Sequence, residues 1–433
     1  MTGLTRRTLL REGSAALGGA LLSGLDLRGF ARPAAAQSID STGADLPFRA
    51  RLRPAPFVRL HDDTVEWADC NSPFLRSGNN SLVFVSSFQP KGHAYRRKGS
   101  QGYRNLGPME AVELLNDPRT EDGKWIESVW NAGNNRLYGW YHTETRIPGN
   151  ESLVTPSIGA MVSENEGLSW RLLGPVFDFS SPENDEEFSN GFVAGGTGDF
   201  CAVVNPRDQY VYLYASTYGP EEDRQGIIAA RYPLASLDQP HDALEVWVGS
   251  DGWCRKAPND GLLPVPFWQP ERSWRYSDPI AFWGPAIHFN RLLGVYVMLI
   301  NQTARGNRDW RQEGIFVSFN SRIEDPDGWS TPYRIVEGGL WYPQVVGAGP
   351  NDGDTVAGGV ARFFLAGFSA WEIVFSTTAT SGIWAEPVAI DRQTITDAMA
   401  AAVDDSPRRL RRGRSQTPGF GPRLRRPSAP IDQ

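Results

Sequence analysis

The chain has few of the residues that build metal centres and disulfide frameworks. Its 433 residues include three cysteines, five histidines and five methionines. The cysteines stand far apart at positions 70, 201 and 254. A structural zinc site is not expected, because such sites use closely spaced cysteine and histidine ligands. An exported protein could form one disulfide, but we expect Cys70 and Cys201 to be buried and unpaired.

Long apolar runs and long helical patterns are also missing. The stretch from Ser14 to Leu25 is shorter than the ~20 residues that a membrane-spanning helix needs. No glycine-rich phosphate loop, H-E-x-x-H motif or Ser/His/Asp motif is present. Gly107–Asn116 is the only segment that predicts a short helix. Membrane-spanning and nucleotide-binding classes are therefore not favoured.

The N-terminus has the pattern of an export signal. Twin arginines at Arg6 and Arg7 precede the weakly apolar stretch, and Ala34-Ala35-Ala36 offers a small-residue cleavage site. We therefore predict a twin-arginine signal peptide over residues 1–36 and a periplasmic or secreted protein. No membrane insertion is expected after cleavage.

Charge is distributed unevenly. The whole chain carries a net charge of −7, yet residues 407–433 contain eight arginines and one acid. The low apolar content of this end predicts a disordered, arginine-rich tail over residues 396–433. The remaining body is acidic, which argues against a nucleic-acid groove.

What the sequence does have is a recurring unit of strand, turn and two further strands. Glycine (45), proline (32) and tryptophan (15) are plentiful, as suits many turns and aromatic contacts. The second strand of each copy starts near Leu82, Leu137, Val211, Val295 and Phe363. This pattern predicts an all-β fold, a five-bladed β-propeller over residues 61–395 that follows an N-terminal extension at 37–60. We expect a monomer.

Three of the predicted inner strands open on an acidic residue: Asp69, Glu127 and Asp199. Inner strands line the central channel of a propeller, so these carboxylates should share one pocket. Glycoside hydrolysis needs paired carboxylates, and apolar rings stack on sugar faces. We therefore predict Asp69, Asp199 and Glu127 as catalytic residues. The predicted substrate-binding residues are Asp63, Asn71, Trp125, His142, Trp283, His288, Trp341 and Tyr342.

These segments resemble the five-bladed glycoside hydrolases of the arabinanase and β-xylosidase type. Ala68-Asp69 with Pro73 is similar to the A-D-P segment that carries the general base in that family, and Asp199 is similar to the residue that tunes the pKa of the acid. The family places its general acid in a fourth-blade E-[GA]-P segment. Trp283 stands there in this chain, so the resemblance implies that another acid donates the proton or that none does. Glu127 is the first candidate.

A second resemblance covers blades two to five. The segments G-W-Y-H-T-E, V-Y-L-Y-A-S-T and W-G-P-A-I are similar to exported propellers of the DUF4185 type, which are linked to endo-D-arabinanase activity. The resemblance implies an exported hydrolase with a carbohydrate substrate, for which an arabinan-like polymer is one candidate. No cofactor is required by this reading, although the channel could hold a calcium ion.

Two other functions remain open from the sequence. A non-catalytic glycan-binding propeller would keep the aromatic mouth and lose the acid, as Trp283 suggests. A sialidase-like enzyme is less favoured, because no set of inner-strand arginines is evident. The segment from Ser163 to Trp170 resembles an Asp-box, a hairpin turn with a structural role, with Asn165 in the Asp position.

Overall fold

The computed structural model describes residues 48–77, 80–88, 91–100, 102–118, 122–147, 149–177, 188–219, 221–256, 261–304, 311–377, 387–391 and 393–398. The predicted signal peptide at 1–36 lies outside these residues, as do residues 37–47 and the tail from 399 onwards. Within the described chain, no helix is long and apolar enough to cross a membrane.

The described chain is almost entirely β-structure, arranged in five sheets. The first sheet contains β2 (Phe74–Ser77), β3 (Asn80–Ser86), β4 (Ala94–Gly99) and β5 (Glu110–Ala111) in that order. The second contains β7 (Lys124–Gly133), β8 (Arg136–Ile147), β9 (Asn150–Ser163), β10 (Ser169–Phe177) and, at its outer edge, β6 (Glu113–Leu115).

The third sheet runs in sequence order. It contains β11 (Thr197–Asn205), β12 (Tyr210–Tyr218), β13 (Gln225–Pro233), β14 (Glu245–Trp247) and β15 (Trp253–Arg255). The fourth contains β16 (Phe282–Asn290), β17 (Val295–Thr303), β18 (Gln312–Asn320) and β19 (Tyr333–Gly338), flanked by β21 (Val356–Ala357) and β24 (Val388–Ile390). The fifth contains β20 (Pro343–Gly347), β22 (Val360–Leu365), β23 (Phe368–Thr377) and β1 (Phe48–Arg59).

The predicted second strands are all present, as β3, β8, β12, β17 and β22. The turn between β11 and β12 illustrates why the unit forms. The side chains of Asn205 and Asp208 accept hydrogen bonds from backbone N–H groups two residues further on, at 3.2 Å each. Asparagine and aspartate favour turns because they can satisfy local backbone groups in this way.

Hydrophobic contacts join each sheet to the next. One buried cluster contains residues from the first and second sheets, and others join the second to the third, the third to the fourth and the fourth to the fifth. A further cluster joins the fifth sheet to the first, with Phe364 and Val346 packed beside Phe74 and Val83. The arrangement is propeller-like, with four blades and one half-barrel sheet. The all-β propeller-like fold is thus confirmed, and the number of five blades stays a prediction.

The N-terminal strand completes the fifth sheet, which the sequence analysis did not anticipate. β1 pairs antiparallel with β23, so that Phe48 lies opposite Thr377 and Arg53 opposite Glu372. Phe48, Ala50 and Leu52 are buried, whereas Arg51 and Arg53 face outwards, as the two-residue period of a strand requires. The first described segment of the chain is therefore held by one of the last.

The short helix predicted over Gly107–Asn116 is wrong, because the segment forms β5 and β6. β5 pairs with β4, and β6 pairs parallel with β10. The open edge of β4 explains the outcome, since Arg96 on β4 binds Glu110 on β5 at 2.6 Å. The helical elements of the described chain are short. They are an α-helix over 393–398, which includes the first residues of the predicted tail, and 3-10 helices at Glu222–Arg224, Leu234–Ser236, Pro240–Ala243, Gly249–Asp251 and Pro326–Gly328.

The segment that resembles an Asp-box forms the hairpin turn between β9 and β10. The Ser163 hydroxyl accepts the N–H of Gly167 at 2.8 Å, and Asn165 Oδ1 accepts the N–H of Ser169 at 3.0 Å. Trp170 is fully buried against the first sheet. These contacts agree with the structural role predicted for this segment. The three cysteines are free, and Cys70 and Cys201 are buried, as predicted.

Candidate functional site

Bulges on the inner strands set the direction of two of the predicted acids. The pairing of β7 with β8 shifts register between Ile126 and Ser128, which makes Glu127 the bulged residue. The pairing of β11 with β12 shifts between Gly198 and Phe200, which makes Asp199 the bulged residue. Bulges often redirect a side chain beside an active site. Asp199 also has a positive φ of 45°, a conformation that costs energy for a residue with a side chain.

Glu127 lies in the interior and uses both carboxylate oxygens. Oε1 accepts a short hydrogen bond from Nδ1 of His142, and Oε2 accepts the backbone N–H of Phe200 at 3.0 Å. Burial raises the pKa of Glu127 to about 7, since it outweighs the opposing effect of His142, and the charge of Asp199 raises it further. The carboxyl group therefore exchanges its proton close to neutral pH.

His142 is held between Glu127 and an indole ring. Its imidazole stacks on Trp125 with ring centroids 4.7 Å apart and ring planes 10° apart. Burial lowers the pKa of His142, but the charge of Glu127 and its hydrogen bond, with Asp199 and Glu144, raise it more, so the net shift is upwards. The imidazole and Glu127 therefore form a buried pair in which the pKa of both groups is raised.

Asp69 joins this pair through the same indole. The Trp125 Nε1–H donates to Asp69 Oδ2 at 2.5 Å, and the backbone N–H of Asp69 donates to the carbonyl of Ser86 at 2.7 Å. Asp69 precedes β2 in the first sheet, whereas Trp125 lies on β7 in the second. The predicted residues Asp69, Trp125, His142 and Glu127 are thus brought together.

Asp199 is bound by two tyrosine hydroxyl groups. Tyr218 donates a short hydrogen bond to Oδ2, and Tyr342 donates to Oδ1 at 3.4 Å. Tyr342 belongs to the segment just before the fifth sheet, and its own N–H donates to Asn301 Oδ1 at 3.1 Å. Like Asp199, Tyr342 has a positive φ, at 59°. Contacts to the third, fourth and fifth sheets therefore converge on Asp199 and Tyr342.

Trp283 is the residue for which the sequence resemblance predicted the position of an acid. It is fully buried, its indole N–H donates to Gln312 Oε1 at 3.0 Å, and its ring meets that of Tyr342 edge-on at 5.2 Å. Trp341 packs in the same hydrophobic cluster. Trp125, Trp283, Trp341 and Tyr342 each expose at most 4% of their surface, so these rings pack within the wall of the site instead of presenting an open stacking face.

Ser72, the neighbour of the predicted residue Asn71, is hydrogen-bonded to the fifth sheet. The N–H of Ser72 donates to Gln344 Oε1 at 2.6 Å, and Gln344 Nε2 donates back to the Ser72 carbonyl at 3.0 Å. Asn71 is 1% exposed, and we find no hydrogen-bond partner for its Oδ1 within the described chain. A buried amide oxygen without a partner is costly, and a bound hydroxyl group could satisfy it.

Two predicted substrate-binding residues lie outside this set of contacts. The Asp63 side chain is 92% exposed and pairs with Arg59 at 2.8 Å. His288 lies on β16, where it is buried against the ring of Phe375 at 5.3 Å. Burial lowers the pKa of His288 to about 3, so the imidazole is neutral at ordinary pH.

Several polar partners of the site were missed by the sequence analysis. Tyr218 and Ser216 lie at the end of β12, where Ser216 accepts the N–H of Gly284 at 3.0 Å and its hydroxyl donates to the carbonyl of Asp199 at 3.3 Å. A polar end on an otherwise apolar strand is the signal that could have identified them. Gln312 and Gln344 carry no such signal. The role of Gln344 depends on which sheets become neighbours, and that of Gln312 depends on the order of β16, β17 and β18 within the fourth sheet.

The described residues contain no group of three or more His, Cys, Asp and Glu residues that could hold a metal ion. The channel calcium ion stays a prediction.

No family model matches the chain, and no curated protein matches it. Solved structures that are similar to this chain include an exo-β-1,3-galactanase from Phanerochaete chrysosporium, with 12% identity, a TM-score of 0.44 and coverage of 80% of this chain and 69% of that one. The native arabinanase of Bacillus subtilis has 14% identity and a TM-score of 0.39, and the match covers 74% of this chain and 94% of that one. The catalytic domain of an α-L-arabinofuranosidase from Coprinopsis cinerea has 11% identity and a TM-score of 0.42, and the match covers 77% of this chain and 98% of that one. At these identities and TM-scores, the chemistry of this chain has to be inferred from its own residues.

Proposed function

We propose that this protein is an exported glycoside hydrolase that cleaves O-glycosyl bonds in a polysaccharide or oligosaccharide. The five sheets would be the five blades of a propeller, with the active site where their inner strands meet. An arabinan-like polymer is one candidate substrate. Export would use the twin-arginine signal at 1–36, and the mature protein would act as a periplasmic or secreted monomer.

One observation carries the proposal. Asp69, Glu127 and Asp199 come from three successive sheets, and one chain of buried contacts runs from Asp69 through Trp125 and His142 to Glu127 and on to the backbone beside Asp199. Burying ionisable groups is costly unless they are paired, and perturbed groups cluster at functional sites. A propeller that served only as a scaffold would not need this arrangement.

The roles follow from the environments of the carboxylates. Asp69, next to the buried rings, is proposed as the general base that activates water. The Glu127 and His142 pair, in which the pKa of both groups is raised, is proposed as the source of the proton for the leaving oxygen. Asp199 raises the pKa of Glu127 through its charge. Hydrolysis of a glycosidic bond needs one group that donates a proton and another that accepts one.

A glycan-binding protein without activity is the second candidate. The observation in its favour is Trp283, whose indole fills the position of the family acid and is tied to Gln312. In that case the buried carboxylates would orient sugar hydroxyl groups and not transfer protons.

In the deciding experiment, the mature protein is incubated with a panel of arabinans, galactans, xylans and other polysaccharides. The oligosaccharides that it releases are then measured. We expect chain shortening of at least one polymer, which Asp69→Asn slows by at least about 100-fold and Glu222→Gln leaves intact. Glu222 is a suitable control because it lies in a 3-10 helix with no buried residue. Binding of a polymer in a pull-down assay, without any release of product, would favour the second candidate.

A further inference from the structure

The two members of the Glu127 and His142 pair differ in access. Glu127 exposes none of its side chain and has both oxygens engaged, whereas the His142 side chain is 6% exposed. Nδ1 of His142 faces Glu127, and within the described chain we find no hydrogen bond to Nε2. Of the pair, only the imidazole can therefore meet a bound ligand, and it would do so through Nε2.

Trp125 fixes the direction of this imidazole. Trp125 and His142 are paired across β7 and β8, and their rings stack face to face. The same indole donates its N–H to Asp69, and Lys91 Nζ lies 5.5 Å from the centroid of a Trp125 ring. The histidine ring is thus clamped relative to the proposed base, as a preorganised catalytic pair requires.

The charges around His142 favour its protonated form. Anionic groups reach it from three strands: Glu127 on β7, Glu144 on β8 and Asp199 on β11. Lys91, which lies over the Trp125 ring, is paired with Glu144 at 2.9 Å. Burial opposes protonation, but the acidic groups outweigh it, so the pKa of His142 lies above its ordinary value.

We infer that His142 is the proton donor of the proposed hydrolysis and that Glu127 is the residue that positions it. The inference rests on the proposed function and assigns one step of it. The proton leaves Nε2 for the glycosidic oxygen as the bond between that oxygen and the anomeric carbon breaks, and the bonding pair stays on the oxygen. A water attacks the anomeric carbon and gives its proton to Asp69. Solvent then restores the proton on His142 and removes the one on Asp69.

The same assignment explains how a chain with Trp283 in the acid position could still catalyse hydrolysis. The indole of Trp283 donates to Gln312 and cannot supply a proton to an alkoxide. Glu127 could supply one only if it left His142 and the N–H of Phe200, and both groups would then lose their buried partner. His142 needs no such rearrangement, and histidine is the commonest general acid in enzymes.

The test compares His142→Gln and Glu127→Gln with the wild type on two substrates. One is the glycan that the wild type hydrolyses, and the other is an aryl glycoside of the same sugar, whose leaving group needs little protonation. For His142→Gln we expect kcat/KM to fall by at least about 100-fold on the glycan and by much less on the aryl glycoside. Glu127→Gln should retain more activity on the glycan.

The pH profile separates the two roles. An imidazolium donor makes kcat/KM fall as pH rises through the raised pKa of His142. Glu127→Gln removes an anion that holds this pKa up, so the alkaline limb should persist and move to lower pH. If Glu127 were the donor, that limb would vanish in Glu127→Gln and remain in His142→Gln, which would overturn the inference.

A direct titration covers the case in which His142→Gln does not fold. The imidazole pKa measured by NMR in the wild type, and assigned by its shift in Glu127→Gln, should match the alkaline limb of the wild-type profile; a mismatch overturns the inference. A wild-type enzyme that hydrolyses no glycan defeats the proposed function itself. Equal glycan hydrolysis by His142→Gln and the wild type defeats only the role of His142.

Discussion

Trp125 donates its indole N–H to Asp69 across the boundary between the first two sheets, at 2.5 Å. The same ring stacks on His142. One side chain thus links the proposed base to the pair that is proposed to supply the proton. The active site depends on the packing of neighbouring sheets as much as on the acids themselves.

Trp125→Phe should distinguish the hydrogen bond of Trp125 to Asp69 from the packing of its ring. Phenylalanine keeps an aromatic face for His142 but removes the donor to Asp69, and a hydrogen bond to a charged group is worth about 1.5–3 kcal/mol. We expect a loss of stability of that size and a fall in kcat larger than the change in KM. Trp170→Phe is the matched control, because Trp170 is equally buried and donates to Gly167 in a remote hairpin. It should lose stability and keep kcat. Equal kcat in both variants would remove Trp125 from catalysis.

Asp199→Asn should shift the alkaline limb of activity towards lower pH. The charge of Asp199 raises the pKa of Glu127 and of His142, so its removal lowers both values. The group that must be protonated then loses its proton earlier as pH rises. The measurement is kcat/KM across pH 5 to about 9, where His-linked groups titrate. An unshifted limb would show that Asp199 is not electrostatically coupled to the proton donor.

His288 should make the protein sensitive to acid. Its pKa is about 3 in the folded state, against an ordinary value of 6.5. Because the folded value is lowered, its contribution to stability is fully present above pH 6.5 and is lost as pH falls towards 3. Between pH 7 and 4, this histidine should lower the free energy of unfolding by about 3 kcal/mol. In denaturant titrations at pH 7 and pH 4, the free energy of unfolding of His288→Leu should therefore fall by about 3 kcal/mol less than that of the wild type. An identical pH dependence in both proteins would contradict a buried, neutral His288.

The β1 strand gives a prediction about the fold. Phe48 is buried and packs on Phe319 with ring centroids 5.5 Å apart, so Phe48→Ala should lower stability by about 3–5 kcal/mol. Arg51→Ala, at an exposed position of the same strand, should change it by less than about 0.5 kcal/mol. Similar melting temperatures for the two variants would mean that β1 does not close the fifth sheet.

The sequence allowed the repeated strands to be predicted, because strand periodicity and turn residues are local signals. The pairing of β1 with β23 was not predictable, since it joins segments more than 300 positions apart and has no local signature. The helix expected over Gly107–Asn116 failed because the open edges of β4 and β10 outweighed a weak local preference. Tertiary contacts of this kind override propensity.

Within the site, sequence reasoning identified residue types better than their surroundings. Asp69, Glu127, Asp199, Trp125 and His142 were selected, and the structure links them. The burial of Trp283 and Trp341, and the exposed pair of Asp63 with Arg59, depend on packing that the sequence does not display. The contact of Asp199 with Tyr218 arises because a bulge directs the carboxylate towards a tyrosine of the adjacent strand.

The most direct test of the account is the turnover of Asp69→Asn on the polysaccharide that the wild type degrades. Asparagine keeps the size of the side chain and an oxygen that can accept from Trp125, but it cannot take a proton from water. General base catalysis contributes about 10²- to 10⁴-fold, so we expect kcat to fall at least 100-fold while the variant still binds the polymer. Hydrolysis by Asp69→Asn at the wild-type rate would contradict the proposed mechanism.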